Sequence, residues 1–278
     1  MTASITDTGA GPGTKLPGPA TRAGSVVPGG RPPAPPDPKL VEALATVRDP
    51  ELDEPITNLG FVTSVHKSAA GDVQVRLRLP TYFCAPNFAF LMVADAYDAV
   101  ADLPGVRNAE VVLEEHFASD QINGGVAAQA GFARSFDGEA VGELHELRAD
   151  FLRKAIMAGT DLVTRPLLAA GLEPSELPRL TLGDLPPSRE LDRLRQRRAD
   201  LGLPTGDDAL VLIDPKTGGP IEGKAAELHL RKARLTRISI ESNGSICRGM
   251  LQHRYDNTRG QGEAPIDSTA EGTAEEDQ

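Results

Sequence analysis

Apolar and polar residues alternate from Val73 to Leu79, the period of a half-buried strand. Phe88, Leu91, Met92, Ala96, Ala99 and Val100 then recur at helical spacing. Upstream, Leu40, Val41, Leu44 and Val47 mark a short amphipathic helix, which Asp49-Pro50-Glu51 ends because a proline disfavours helix at the residue before it. Phe61 to Val65 begins a strand, and Ala70-Gly71-Asp72 turns it into the strand at 73–79. Leu103-Pro104-Gly105 is a turn, and Val106 to Leu113 is a third strand. The order helix, strand, strand, helix, strand predicts a small α+β domain over 39–118, with both helices on one face of the sheet.

Residues 119–256 give a weaker pattern and predict an extension of mixed helices and strands. Gly124-Gly125 and Gly131 suggest a loop, and Leu144, Leu147, Phe151, Ala155 and Ala158 a helix over 139–158. Ser188 is placed to cap a further helix bearing Arg189, Arg193, Arg195, Arg197 and Arg198. Ala209 to Ile213 reads as a strand. Ile238 and Ile240 lead into Ser242-Asn243-Gly244-Ser245, an Asn-Gly hairpin signal, with a returning strand carrying Ile246, Cys247 and Met250.

The flanks differ in composition. Residues 1–38 are dominated by Gly, Pro, Ala and Thr, and 257–278 are polar and acidic. Neither offers enough apolar surface to offset ordering entropy, so both are expected to be disordered tails. The chain has 278 residues and a net charge of -11, which argues against general binding to nucleic acid or to anionic membranes. No apolar run approaches a membrane span, no signal peptide is evident, and two cysteines make no disulfide framework. These features lead us to expect a cytoplasmic protein.

One of the two cysteines stands where strand gives way to helix, in Pro80-Thr81-Tyr82-Phe83-Cys84-Ala85-Pro86. Pro86 suits a first helical position. Cys84 thus precedes a helix N-terminus, where free N–H groups and the helix dipole favour a thiolate, the form that attacks electrophiles and binds soft metals. The other reading of Cys84 is a small buried hydrophobe. Asp49, Glu51, Asp53 and Glu54 cluster before the first strand. Asp49 and Glu51 are either iron ligands beside Cys84 or acceptors for turn N–H groups. Thr81 and Asn58 read as hydrogen-bond partners of nearby backbone. His116 closes the third strand within reach of Cys84; it belongs to no paired-histidine motif, and the other reading is a surface or hydrogen-bonded residue. Nucleophile elbow, P-loop and dinucleotide fingerprint are all missing.

Three segments resemble the MIP18 family, the domain-of-unknown-function 59 family of iron–sulfur assembly factors. They are Asp49-Pro50-Glu51, Ile56-Thr57-Asn58-Leu59-Gly60-Phe61-Val62 and the Cys84 corner, followed by Gly105-Val106 in family order. The resemblance covers about 80 of the 278 residues. The corner is one residue shorter than the family's, and its proline follows Ala85. The resemblance implies a small α-β-β-α-β domain and a non-catalytic maturation factor. Such a factor would bind an iron–sulfur cluster or iron transiently through Cys84, with Asp49 and Glu51 as further metal ligands and Thr81, Asn58 and Gly60 as structural residues. One cysteine in the domain is too few for a closed four-thiolate site, so a cluster would call on Cys247, a homodimer or ligands from a client. The implied partners are the iron–sulfur assembly machinery or a client metalloprotein. The extension is similar to a subgroup associated with bacterial di-iron hydrocarbon monooxygenases. A different class of reading is a metal-free adaptor or folding chaperone for such an oxygenase, with Cys84 structural; a thiol enzyme is a third.

Overall fold

The computed structural model describes residues 36–136 and 144–255. The first part runs α1 (Pro38–Thr46), β1 (Val62–Lys67), β2 (Asp72–Arg78), α2 (Pro86–Ala101) and β3 (Asn108–Glu114). This is the predicted order. Pro38 already opens α1, and the Asp37 carboxylate accepts from the Lys39 N–H as its cap, so the first helix starts slightly inside the segment expected to be tail. The remainder of that tail and residues 256–278 lie outside the described residues.

The sheet order is β1-β2-β3. β1 pairs antiparallel with β2, and β2 pairs parallel with β3 through the α2 crossover, with Val75 opposite both Val65 and Val111. Val73, Val75 and Leu77 point inward with Val111 and Leu113. Leu40 and Leu44 of α1 and Ala89, Val93, Ala96 and Val100 of α2 cover that face.

The chain continues with α3 (Ser119–Ala127), α4 (Phe132–Ser135), α5 (His145–Ala169), two 3-10 turns, α6 (Arg189–Asp200) and α7 (Gly223–Tyr255). Mixed helix and strand holds across the described residues, but the strands expected in the extension do not form. Ala209–Ile213 makes only single bridges, Thr181 to Leu210 and Ile213 to Pro220. The buried Arg198 donates to the carbonyls of Leu210 and Val211 at 2.9 and 2.6 Å, occupying acceptors that a ladder would need. Gly124 and Gly125 lie within α3. A Cβ on Gly125 would collide with Ser135 of α4, so close helix approach, not a loop, accounts for that glycine. The helix expected over 139–158 is α5; residues 137–143 lie outside the described residues. Ser188 caps α6 by accepting from the Leu191 N–H.

The expected hairpin at 242–245 is helix throughout. Gly244 is buried in α7, and a Cβ there would meet Glu54 Oε1 at 3.3 Å and Arg248 Nη2 at 3.4 Å. Asn243 donates to Glu51 at 3.4 Å, and Arg248 pairs with Glu54 at 2.7 Å. Asn-Gly here lets a helix lie against the acidic loop. Tertiary contact has overridden the local turn preference. A buried pair, Arg237 Nε to Asp161 Oδ2 at 2.6 Å, ties α7 to α5.

Candidate functional site

Two β-strand ends and two helices build the site around Cys84. After β2 the chain turns through Pro80 to Ala85 before α2 begins at Pro86. Thr81 Oγ1 accepts from the Phe83 N–H at 3.2 Å and lies 3.3 Å from Cys84 Sγ. The corner is therefore pinned by the side chain nearest the thiol. Ala85 is the N-cap of α2 and brings no side-chain acceptor, so Cys84 is half-buried at a helix start that lacks a side-chain cap.

His116 fixes the corner from the other side. Its Nδ1 accepts from the Ala118 N–H at 3.2 Å, so Nε2 carries the proton and donates to the Cys84 carbonyl at 2.7 Å. Burial lowers its pKa, the Cys84 carbonyl opposes that, and Arg254 reinforces it. His116 thus holds the cysteine's backbone and does not touch its thiol through any hydrogen bond of the described residues.

Helix α7 closes the site. Cys247 and Leu251 pack against the same core cluster as Cys84. Leu251 Cδ2 lies 3.4 Å from where a Cβ on Gly60 would sit, and Gly60 has φ +75. Arg254 donates to the carbonyls of Leu79 and Glu115, at 3.3 and 2.8 Å, spanning the ends of β2 and β3. Burial pushes the Cys247 thiol up to about 11, and Asp49, Cys84 and Glu51 nearby push the same way. The fold therefore gathers the two cysteines and the two acidic candidates into one neighbourhood.

Asp49 is buried and its Oδ1 accepts from the N–H groups of Glu51 and Leu52 at 2.9 and 2.8 Å. Burial still pushes its carboxyl up to about 6, against those hydrogen bonds. Glu51 accepts from Asn243. Asn58 departs from expectation: it is exposed, lines a cavity facing the extension, and makes no side-chain hydrogen bond among the described residues. Among the described residues no group of three or more His, Cys, Asp or Glu is placed to hold a metal ion.

Tyr82, Phe83 and Phe117 form an exposed aromatic cluster, 46, 77 and 47% accessible, with ring centroids 5.0 to 6.3 Å apart. The Phe117 N–H donates to the Tyr82 carbonyl, joining the corner to the end of β3. Tyr82 and Phe83 immediately precede Cys84 in sequence, but Phe117 lies 33 positions beyond it and comes to them through the parallel β2–β3 pairing.

A family model described as iron–sulfur cluster assembly protein matches residues 38–111, from the start of α1 into β3. The chain is 32% identical over 84 residues to an uncharacterized protein of Methanocaldococcus jannaschii, covering 30% of this chain and 86% of that relative. It is 39% identical over 72 residues to an iron–sulfur cluster carrier protein of Mycobacterium leprae, covering 26% of this chain and 18% of that protein. No solved structure matches at a significant level. No helix among the described residues is long and apolar enough to cross a membrane.

Proposed function

We propose that this chain, which belongs to the iron–sulfur cluster assembly protein family, binds an iron–sulfur cluster or iron transiently at Cys84 and passes it to a client metalloenzyme. The cluster is cargo, and the protein is an assembly factor and not a catalyst. The observation that carries this reading is the position of Cys84. Its thiol lies beside Thr81 at the start of α2, its carbonyl is held by His116, and exposed aromatic rings adjoin it. A thiolate is a soft ligand suited to iron–sulfur clusters.

The donor set favours passing over keeping. The chain has two cysteines, and burial beside acidic neighbours keeps Cys247 protonated near neutral pH. A cluster on Cys84 therefore draws its other ligands from a client, a second copy or the assembly machinery. The rings of Tyr82, Phe83 and Phe117 offer the client an apolar surface next to the thiol. The carrier-protein relative supports the cargo. The extension's resemblance, read from its sequence alone, is the ground for naming a di-iron hydrocarbon monooxygenase as the proposed client.

Anaerobic reconstitution with ferrous iron and sulfide tests the reading. The wild type is expected to gain visible absorption that Cys84→Ser loses, while Cys247→Ser keeps most of it. Absorption that is absent from the wild type, or unchanged in Cys84→Ser, would favour the metal-free adaptor instead.

A further inference from the structure

Five large apolar side chains of α7 face solvent: Leu228, Leu235, Ile238, Ile246 and Met250, with Leu235 67% and Ile246 58% exposed. The other exposed large apolar side chains among the described residues are the three rings beside Cys84. At 3.6 residues per turn, Leu228, Leu235, Ser239, Ser242 and Ile246 fall within about 60° of one another around the helix, and Ile238 and Met250 border them. The buried positions of α7, Ala226, His229, Ala233, Arg237 and Gly244, lie on the opposite side. Helix α7 is thus apolar on two faces. One packs on the rest of the chain, tied to α5 by Arg237 and Asp161, and the other is bare. A helix apolar all round is ordinarily covered all round.

The stripe itself says what covers it. Leu235 and Ile246 stand at equal distances from the midpoint between Ile240 and Glu241, and so do Ser239 and Ser242. Such a face is complementary to itself across a twofold axis, where residue i meets j and j meets i. Charge sets the direction. The ion pairs of α7 use Arg237, Arg248 and Arg254, while Arg231, Lys232 and Arg234 stand exposed beside the stripe, outside those pairs. A parallel pair of α7 helices would set these three cations against the same three of the second copy, a juxtaposition that opposes association. An antiparallel pair with Leu235 opposite Ile246 instead brings Arg231 to Met250 and Lys232 to Gly249, where their long stems lie on apolar surface.

We propose that the bare face of α7 is the interface of an antiparallel homodimer, with Leu235 of each copy packed on Ile246 of the other and Ser239 on Ser242 at the crossing. The small serines let the axes approach to the 8–10 Å or so of packed helices. From Leu228 to Met250 the stripe runs about 33 Å, and at about 10 Å wide it offers on the order of 350 Å² of footprint per copy. That is below the roughly 800 Å² per partner of a standard interface, so the dimer is reversible, with a dissociation constant on the order of 10 μM. Leu251, which closes the Cys84 corner, lies about 30 Å along the axis from its counterpart in this pairing. The two corners stay apart, and each is left open to its own client. The interface does not depend on the cargo reading.

Sedimentation velocity of the full chain over a concentration series tests the proposal. The wild type should pass from monomer to dimer over on the order of 1–100 μM. Leu235→Glu and Ile246→Glu should each weaken association at least tenfold. Both positions are exposed, so the circular dichroism of each variant should match the wild type. Leu235→Glu combined with Ile246→Lys in one chain sets opposite charges against each other only in the antiparallel pair, and should restore association to within a few-fold of wild type. A wild type that stays monomeric throughout, or a dimer that survives both glutamate variants, would overturn the interface. No recovery in the double variant would overturn the antiparallel pairing. A wild-type monomer that cosediments with phosphatidylserine vesicles, or that dimerises only when residues 256–278 are removed, would also overturn the proposal, giving the face to a membrane or to the chain's own end.

Discussion

Asp49 carries a buried carboxyl whose proton is held to about 6, against an ordinary 3.8. The folded chain binds this proton more tightly than the unfolded chain, so its contribution to stability falls as pH rises from about 4 to about 6 and is constant above that. A shift of this size corresponds to a cost on the order of 3 kcal/mol for ionising the group in place. Asn keeps the oxygen that accepts from Glu51 and Leu52 but carries no charge. Denaturant unfolding at several pH values should show Asp49→Asn gaining on the wild type between pH 4 and 6, and holding that gain at pH 7. A gap that stays constant or narrows across the window would contradict the burial argument. At this scale much of the site was legible in the sequence. Cys84 before Pro86 and the Asp-Pro-Glu loop are local patterns whose placement follows from turn and helix-start chemistry. His116 was visible as the end of a strand within reach of Cys84, but not as the anchor of its backbone. Its bond to the Cys84 carbonyl crosses 32 positions and depends on how β3 ends beside the corner.

Helix α7 is the element that the sequence concealed. Its Asn243-Gly244 pair carries a turn signal, and the reason it is helical lies in the loop at 51–54, nearly two hundred positions away. The α-β-β-α-β segment was legible because its apolar periods switch cleanly from two to 3.6 residues. The extension was not, because its arginine-rich helix surfaces are satisfied by distant carbonyls and carboxylates. The pair of Arg237 with Asp161 is the clearest case. Arg237→Met leaves Asp161 buried without its cation, and removing one partner of a buried pair costs about 3–5 kcal/mol. Chemical denaturation should show that loss, with Asp161→Asn plus Arg237→Met recovering part of it. A loss below about 1 kcal/mol would mean the pair does not fasten α7 to α5.

At the largest scale of the described residues, the α-β-β-α-β segment presents a cysteine corner, and the extension returns through α7 to close one side of it. The open side carries Tyr82, Phe83 and Phe117. Phe83 is mostly exposed, so Phe83→Ser should leave stability within about 0.5 kcal/mol of wild type. The same change should lower client affinity at least tenfold in a binding assay, and equal affinity would remove the aromatic surface from the client interface. The central claim is that Cys84 is the labile cargo ligand. Site-resolved alkylation with iodoacetamide under argon, read by mass spectrometry, tests it most directly. Unloaded protein should label rapidly at Cys84 and slowly at Cys247, whose thiol is held up near 11. Loading with iron and sulfide should protect Cys84 at least tenfold, and an iron chelator should restore its labelling. Equal labelling of Cys84 before and after loading, in protein that has taken up iron, would contradict the account.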